Sequence, residues 1–381
     1  MDPRNQPSMP MKQPRARFFL AAILVPMLGA MTTSPSARSA EPAMSDTSRK
    51  VMVIAHRGAS ALRPEHTLAA YAKAIEDGAD AIEPDLVSTK DGFLVARHEN
   101  EIGGTTDVAD HPEFAGRRTR KYIDGEKITG WFTEDFTLAE LKTLRARERL
   151  PQLRPTGYDG QFGIVTLEEI IALAATESER RGRVIGLVPE IKHPTYFAGL
   201  GLRLEDKLLA ALAAHDYTRN APVTIQSFET ANLRYLRERL GNAHPNIQLL
   251  QLLGAKGERP YDAVNARQHT SYGLMIKRKG LREIAAYADA IGPSAGMLEL
   301  RDEDGARSAI VDAAHEAGLK VAVYTFRPEN HFLGPAYAGD GDPGTRNEAG
   351  SVREMQAYLA AGIDALFTDD PALGRRAVDG M

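Results

Sequence analysis

From residue 50 onward, short apolar strand patterns alternate regularly with helical patterns. This alternation is typical of a parallel sheet whose strands are joined by crossover helices. Strand patterns lie at residues 51–55, 80–86, 184–192, 223–228, 247–253, 290–296, 320–326 and 364–368. These eight repeats predict an α/β fold, a closed (β/α)8 TIM-type barrel occupying residues 50–379.

An open doubly wound sheet is the competing architecture. Such a sheet normally carries a glycine-rich phosphate-binding loop after its first strand. The run His-Arg-Gly-Ala-Ser at residues 56–60 is not a loop of that kind. The sequence therefore favours the barrel.

Helical patterns fill most of the intervals between the strands. They lie at residues 67–77, 166–177, 202–215, 229–240, 306–317 and 352–361. Thr166 followed by Glu169 predicts a capping box at the start of the second helix. Gly78, Gly318 and Gly362 stand where helices should end.

The rhythm breaks after the second strand. A turn signal at residues 89–92 leads directly into a strand pattern at 93–97, which predicts an antiparallel hairpin. Pairing Ser88 with Phe93 would place Asp85 opposite Ala96. Residues 99–165, which contain Trp131, then delay the next helix, and we interpret them as an insertion after the hairpin.

The first 40 residues predict a secretory signal peptide rather than a folded element. A basic start, an apolar run at 18–31 and small residues at 32–40 follow one another. The apolar run is shorter than the ~20 residues of a spanning helix, and Pro26 interrupts it. A retained anchor is the alternative. We expect cleavage near residue 39 or 40, a mature chain without a membrane span, and a secreted, periplasmic protein.

Charge and cysteine content exclude several classes of partner and site. The formal net charge is −4, from 47 basic and 51 acidic residues, which argues against a protein that binds nucleic acid mainly by charge. The chain has no cysteine, so disulfides, thiolate metal sites and cysteine nucleophiles are excluded. We therefore expect a small-molecule partner and, for any metal, oxygen or imidazole ligands.

Charged residues end several strands, where a barrel carries its chemistry. They are His56 and Arg57, Glu83 and Asp85, His98 on the hairpin, and Glu190 and Lys192. Side chains two apart on a strand share a face, so these groups should converge at the barrel mouth. Pro84 and Pro189 predict bulged strand ends, because proline cannot donate to a strand ladder. Residues 226–228 and 324–326 also end strands, and they either line the pocket or pack in the core.

The carboxylates predict a metal site. Glu83, Asp85 and Glu190 would repel one another in a partly buried site unless a cation neutralised them. All-oxygen ligation selects Mg²⁺ or Ca²⁺ over Zn²⁺, and a secreted protein meets more Ca²⁺. We expect one divalent cation, with Ca²⁺ favoured over Mg²⁺. The alternative is a buried ion network in which Arg57 and Lys192 balance the carboxylates.

The remaining groups complete a phosphoryl-transfer set. His56 and His98 suit general acid and base, because imidazole titrates near neutral pH. Arg57 offers a planar fork and Lys192 a point charge for a phosphate. Three further histidines, His66, His193 and His215, are expected to be structural or on the surface.

These motifs resemble the glycerophosphodiester phosphodiesterase family, nearest its periplasmic branch, from Val51 to the last helix. They are His56-Arg57-Gly58-Ala59, Pro64-Glu65-His66-Thr67, Glu83-Pro84-Asp85-Leu86, Lys90-Asp91-Gly92, His98, Pro189-Glu190-Ile191-Lys192, Tyr324-Thr325 and Phe367-Thr368-Asp369. The resemblance implies a TIM-type barrel with an insertion after the hairpin. It implies hydrolysis of glycerophosphodiesters to sn-glycerol 3-phosphate and an alcohol. It also implies metal binding by Glu83, Asp85 and Glu190, and His56 and His98 as the acid–base pair.

Two departures and two rival functions accompany the resemblance. Glu99 follows His98 where many relatives have aspartate, and an arginine common shortly afterwards is replaced around residues 102–104. These departures put the insertion's substrate contacts in question. A phospholipase-type phosphodiesterase acting on lysophospholipids would need an apolar rim, and residues 99–165 contain no clear amphipathic membrane stretch. A catalytically silent barrel should have lost polar groups that this sequence retains.

Overall fold

The structure, a computed structural model, describes residues 51–298, 300 and 308–381. The predicted signal peptide lies outside these residues. The strands of the described chain are β1 Met52–His56, β2 Ala81–Glu83, β3 Asp85–Ser88, β4 Leu94–Ala96, β5 Thr119–Ile123, β6 Glu126–Gly130, β7 Gly186–Leu187, β8 Glu190–Ile191, β9 Val223–Ser227, β10 Ile247–Leu253, β11 Ala290–Pro293, β12 Lys320–Phe326 and β13 Ala365–Thr368.

Helices separate most of these strands. They are α1 Leu68–Glu76, α2 Leu138–Leu141, α3 Leu167–Arg181, α4 Pro194–Gly199, α5 Glu205–Ala214, α6 Ala231–Leu240, α7 Tyr261–Asn265, α8 Tyr272–Met275, α9 Arg278–Ala285, α10 Ala309–Glu316, α11 Glu348–Ala360 and α12 Pro371–Asp379. In the described part of the chain, no helix combines the length and apolar character needed to cross a bilayer.

The parallel strands close into a barrel. β1 pairs with β2 on one side and with β13 on the other. From β2 the parallel pairing passes to β7, then β9, β10, β11 and β12, and returns to β13. This circuit of eight strands confirms the predicted barrel, and the open-sheet alternative is wrong.

Two strands are divided as their prolines predict. The predicted strand at 80–86 is split by Pro84 into β2 and β3, and the one at 184–192 is split before Glu190 into β7 and β8. The second halves continue the sheet, since β3 pairs with β8 and β8 pairs with β9. The divided strands therefore remain paired in the barrel wall, and the break changes the direction of the residues at their ends, which lie at the barrel mouth.

The helix boundaries follow local signals. α3 begins at the predicted capping box of Thr166 and Glu169 and extends beyond the predicted end at residue 177 to Arg181. It stops where Gly182 adopts a left-handed conformation with φ of 64°. The helix predicted at 306–317 is α10, which runs over Ala309–Glu316; residues 306 and 307 lie outside the described chain.

The hairpin forms where predicted, but its register differs by one residue. β3 and β4 pair antiparallel with Leu86 opposite Ala96. The amide of Arg97 therefore donates to the carbonyl of Asp85 at 3.0 Å. The predicted pairing of Asp85 with Ala96 is wrong.

The turn explains this shift. The amide of Thr89 donates to the carbonyl of Phe93 at 2.9 Å, so these two residues close the turn. Gly92 has a φ of +89°, the conformation that a three-residue hairpin loop requires at its last position. The loop is thus one residue shorter than predicted, which moves every later pair by one position.

Residues 99–165 form a small layer of irregular structure. It contains the β5–β6 hairpin, α2 and three turns of 3-10 helix at Val108–Asp110, Pro112–Arg117 and Thr133–Asp135. Trp131 lies inside this layer, because its indole N–H donates to the carbonyl of Phe114 at 2.8 Å and its amide donates to Glu101 at 3.1 Å. We call residues 99–165 the insertion below.

The barrel interior changes from apolar to charged toward the ends of four strands. Its apolar part contains Ile54, Ala81, Val188, Leu250, Leu252, Ala290, Ala322, Ala365 and Phe367. Two residues further along the same strands lie His56, Glu83, Glu190 and Asp369. Because side chains two apart share a face, the residues that follow the core point into the barrel mouth.

Candidate active site

The turn after β1 places the first charged groups. Arg57 and Gly58 both have positive φ, at 60° and 90°. A side chain at Gly58 would place its Cβ 2.7 Å from the carbonyl carbon of Ala70, so only glycine fits there. The turn directs the amide of Arg57 at Glu83, whose Oε2 accepts its hydrogen bond at 2.7 Å.

Strand pairing brings three carboxylates together. His56 pairs with Glu83 across β1 and β2, and Asp85 pairs with Glu190 across β3 and β8. One oxygen from each of Glu83, Asp85 and Glu190 lies within 4.8 Å of the others. All three residues are buried.

Glu83 is held by hydrogen bonds from uncharged donors. Its oxygens accept hydrogen bonds from the Arg57 amide and from Gln226 Nε2, the latter at 3.0 Å. Among the described residues, no lysine or arginine side chain forms an ion pair with it. Burial, together with the charges of Asp85 and Glu190, raises the pKa of Glu83 well above its usual range.

Asp85 and Glu190 are partly balanced by basic groups. Lys192 Nζ lies 2.9 Å from Glu190 Oε1 and 3.9 Å from Asp85 Oδ1, and Arg57 Nε lies 3.3 Å from Asp85 Oδ2. Burial alone would raise the pKa of Asp85, but Lys192 and His66 outweigh it and hold that pKa well below its usual range. Burial raises the pKa of Glu190 to about 8, against the opposing effect of Lys192.

These contacts form part of the expected ion network but leave it incomplete. Lys192 and Arg57 face three carboxylates, and Asp85 Oδ1 is buried without a hydrogen-bond donor. The donor set contains only carboxylate oxygens, which suits a hard divalent cation. A cation bound there would neutralise the charge that raises the pKa of Glu83.

His56 is held by a carboxylate from the last strand. Its Nδ1 lies 2.6 Å from Asp369 Oδ1. Asp369 Oδ2 accepts from Arg154 Nη2 at 2.6 Å and from Arg327 Nε at 3.0 Å. Burial, and then Arg57, lowers the pKa of His56 to about 4, although Asp369 opposes both. The bond at Nδ1 leaves Nε2 as the nitrogen available to exchange a proton.

His98 is also held by a carboxylate, which comes from the next residue in the chain. Its Nδ1 forms a short hydrogen bond with Glu99. Arg149 donates to both oxygens of Glu99, at 3.0 and 2.7 Å, and to both oxygens of Glu65, at 2.8 and 2.7 Å. Burial, followed by Arg57 and Lys192, lowers the pKa of His98 to about 3.

The structure brings the predicted site residues to one end of the barrel.

The three other histidines considered from the sequence lie outside this group. His66 is fully buried between Asp85, at 2.8 Å from Nε2, and Tyr71, at 2.7 Å from Nδ1. It therefore orients a carboxylate, which is the structural role expected of it. His193 contacts Asp124 at 2.6 Å through its Nδ1. His215 is the residue that caps the end of α5.

Several residues of the site were missed by the sequence reasoning. They are Glu65, Arg149, Arg154, Gln226 in its role as donor to Glu83, and Asp369 as the partner of His56. Asp369 had a usable signal, because it follows Phe367 by two and therefore faces the mouth. The two arginines had none, since the insertion has no periodic pattern from which their position could be read.

Comparisons with known proteins agree on one family. Residues 56–373 match the sequence profile described as the Glycerophosphoryl diester phosphodiesterase family. A glycerophosphodiester phosphodiesterase of Arabidopsis thaliana is 34% identical over 333 residues, which cover 83% of this chain and 82% of that protein. One from Haemophilus influenzae is 28% identical, covering 91% of this chain and 94% of that protein.

A solved structure shows the same fold. It is that of an Oleispira antarctica phosphodiesterase in complex with the product sn-glycerol-3-phosphate. It superposes with a TM-score of 0.56 at 21% identity and covers 86% of this chain and 96% of that chain. At this identity the likeness concerns the fold alone.

Proposed function

The chain belongs to the glycerophosphoryl diester phosphodiesterase family and is a phosphodiester hydrolase, and we propose that it converts glycerophosphodiesters to sn-glycerol 3-phosphate and an alcohol in a metal-dependent reaction. One observation carries the proposal. Three buried carboxylates meet beside two histidines whose Nδ1 atoms are each bonded to a carboxylate.

Glu83, Asp85 and Glu190 would hold one divalent cation, with Ca²⁺ preferred to Mg²⁺. The all-carboxylate donor set favours Mg²⁺ or Ca²⁺ over Zn²⁺, and the export proposed below would favour Ca²⁺, which a secreted protein meets at higher concentration. When bound, the cation supplies positive charge that stabilises the anionic phosphodiester and its transition state. Gln226 and the Arg57 amide keep Glu83 fixed by hydrogen bonds.

Arg57 and Lys192 would bind the phosphate oxygens. Both side chains are buried and charged, and both lie beside the carboxylate group. Glu65 accepts from Arg57 Nη1 at 3.0 Å, which fixes the guanidinium and leaves its other terminal nitrogen as a donor. The two cations would therefore orient the diester before the reaction begins.

His56 and His98 would act as the acid–base pair. One imidazole accepts through Nε2 the proton of the attacking hydroxyl group, water or the 2-hydroxyl of the glycerol arm, as the oxygen of that group forms a new bond to phosphorus. The bond from phosphorus to the alcohol oxygen breaks, and the other imidazole, in its protonated form, gives its Nε2 proton to that oxygen. Where the 2-hydroxyl attacks, water then opens the cyclic phosphate. The complete reaction consumes one water and yields the phosphomonoester and the free alcohol. Asp369 and Glu99 hold the two rings in place during both transfers.

The activity test uses the chain from residue 41 and glycerophosphocholine. We expect release of sn-glycerol 3-phosphate that EDTA abolishes and that added Ca²⁺ restores better than Mg²⁺. Glu83→Gln should weaken metal affinity while the protein remains folded by circular dichroism. Glu238→Gln, which changes an exposed carboxylate on α6, is the matched control. Absence of release from folded, metal-loaded enzyme would refute the proposal, and turnover of lysophospholipids alone would replace it.

We further propose that the chain is exported to the periplasm. The support is the sequence of residues 12–40, with its basic start, apolar run and small-residue end. Cell fractionation after expression in a Gram-negative host should place the mature chain in the periplasm. Its N-terminal sequence should begin close to residue 40, and a full-length cytosolic product would contradict the proposal.

A further inference from the structure

A cavity opens beside the carboxylate group at the barrel mouth. Its volume is about 460 Å³, and Glu190 and Lys192 form part of its wall. The rest of the wall comes from the turn between β5 and β6, the end of β9 and residues 254–264. A phosphodiester has two arms, so a substrate whose phosphate lies against Lys192 can extend one of them into this space.

Most of the charged residues in the wall of the cavity are acidic. The acidic side chains of the wall include Asp124, Glu126, Glu229 and Glu258. The basic side chains that the described residues contribute are Arg259, Lys192 and His193. Asp124 is bonded to His193. No described ion pair joins a lysine or arginine to Glu126, Glu229 or Glu258. Among the described residues, acidic side chains therefore outnumber basic ones in the wall of the cavity.

Glu229 is the most buried of these acids. It is 3% exposed, and its carboxylate accepts hydrogen bonds from the amide and the hydroxyl of Thr195. Burial raises the pKa of Glu229 to about 8 despite those two donors. A cation placed in the cavity would stabilise the charged form of this carboxylate.

Aromatic rings line the same space. The rings of Phe228 and Tyr272 meet edge to face with centroids 6.2 Å apart, and both residues line the cavity. The ring of Tyr324 also meets that of Phe228 edge to face, with centroids 6.0 Å apart. Tyr261 lines the cavity as well, close to Gly125 in the turn between β5 and β6. Faces of aromatic rings attract ammonium groups and are typical of sites that bind quaternary ammonium.

We propose that this cavity receives the alcohol arm of the diester and selects alcohols that carry an ammonium or trimethylammonium group over neutral and anionic alcohols. The inference rests on the proposed function and specifies its substrate class. The excess of acidic over basic side chains in the described wall supplies the electrostatic preference, and the rings supply contact area for the methyl groups. The volume exceeds the ~300 Å³ at the lower end of ordinary ligand pockets, so a small amino alcohol fits.

The first test compares substrates on the wild-type enzyme. We would measure kcat/KM for glycerophosphocholine, glycerophosphoethanolamine, glycerophosphoglycerol and glycerophosphoinositol under metal-saturating conditions. The two diesters whose alcohol carries an ammonium group should be hydrolysed about tenfold more efficiently than the two whose alcohol is a neutral polyol, and added salt should reduce the difference. Equal efficiency for all four would overturn the inference and leave the proposed function standing.

The second test changes the cavity wall. Glu126 and Glu258 are exposed, so the double variant Glu126→Gln/Glu258→Gln should fold normally. The ratio of kcat/KM for glycerophosphocholine to that for glycerophosphoglycerol should fall about three- to tenfold, and Glu229→Gln should lower it further. Glu238→Gln, outside the cavity, should keep the wild-type ratio.

The outcomes separate the two proposals. An unchanged ratio in the wall variants, or an equal fall in turnover of both substrates, overturns the assignment of the cavity. Absence of turnover of every glycerophosphodiester by folded, metal-loaded enzyme overturns the proposed function and this inference with it.

Discussion

The barrel wall and the insertion contribute to the site in different ways. The wall supplies residues whose positions are fixed by strand pairing, as when His56 pairs with Glu83 and Asp85 pairs with Glu190. The insertion contributes Glu99, which bonds to His98, and two long side chains that hold carboxylates of the site. Arg149 bridges Glu65 and Glu99, and Arg154 bridges Asp369 and Glu329.

The two regions position different kinds of groups in the site. Backbone hydrogen bonds hold strand residues in one register, so groups that must meet a metal or a phosphate come from the wall. An arginine has several rotatable bonds and a planar fork that binds carboxylates in pairs. The insertion is therefore suited to hold the carboxylates that orient His56 and His98, and the wall is suited to hold the reacting groups themselves.

The largest expected effect is on the wall. His56→Ala and His98→Ala should each lower kcat by about 10²–10⁴-fold, the usual contribution of a general acid or base. The measurement is initial-rate release of sn-glycerol 3-phosphate with saturating metal. His215→Ala, at the end of α5, is the control and should retain wild-type activity. Full activity in either site variant would remove that histidine from the acid–base pair.

The next effect tests the connection between the two regions. Asp369→Asn should lower kcat by about 10- to 100-fold, as the loss of a partner that orients a functional histidine commonly does. Glu329→Gln is the matched control, because Glu329 and Asp369 both bind Arg154 but only Asp369 contacts His56. We expect Glu329→Gln to cost less. The loss in Asp369→Asn should appear in kcat, with little change in KM. Equal losses of kcat in the two variants would show that the contact with Arg154, rather than the bond to His56, accounts for the effect.

Much of the wall could be predicted from the sequence. The strands at 247–253 and 320–326 have the predicted bounds, because apolar runs bounded by polar turns leave little freedom. The seven charged residues chosen at strand ends share the barrel mouth, because alternation along a strand decides which face a side chain takes. The prolines at 84 and 189 likewise marked the breaks in two strands.

The register of the hairpin and the contacts of the insertion could not be predicted from the sequence. The register of β3 and β4 depended on whether Gly92 occupies a three-residue or a four-residue turn, and composition is compatible with both. Arg149 and Arg154 lie in a segment with no repeating pattern, and each contacts residues far away in the chain. Such contacts depend on how far a long side chain extends from its backbone in the folded protein, and no local sequence pattern predicts its partner.

A buried glutamate of the insertion should make the free energy of unfolding depend on pH. Glu148 is 7% exposed, and burial raises its pKa to about 7 against the opposing effects of the Leu150 amide and Arg154. The folded protein therefore binds this proton more tightly than the unfolded chain. The stabilisation is complete below the unfolded pKa of about 4.3 and is lost as pH rises through about 7.

Urea unfolding in EDTA at pH 5 and pH 8 checks this expectation. Between these two values the wild type should lose about 2 kcal/mol of unfolding free energy relative to Glu148→Gln. Glu238→Gln on α6 is the control and should follow the wild type. Parallel pH profiles for the wild type and Glu148→Gln would contradict the assignment.

The smallest effect compares matching helix caps in the two regions. Thr166 begins α3 of the barrel and Thr137 begins α2 of the insertion, and each forms a complete capping box with a glutamate three residues later. Replacing either threonine by alanine should cost about 1 kcal/mol locally. α3 has 15 residues and α2 has 4, so the two losses should appear in different measurements.

Thr166→Ala should lower the midpoint of global urea unfolding, because α3 buries Leu167, Ile170 and Ile171 against the barrel core. Thr137→Ala should instead speed amide hydrogen exchange within the insertion and leave the global midpoint nearly unchanged, since short segments open separately from the main core. If Thr137→Ala lowers the midpoint as much as Thr166→Ala, the insertion unfolds together with the barrel. The arginines it contributes would then be held as firmly as the strand residues, and the two regions would differ in sequence signal alone.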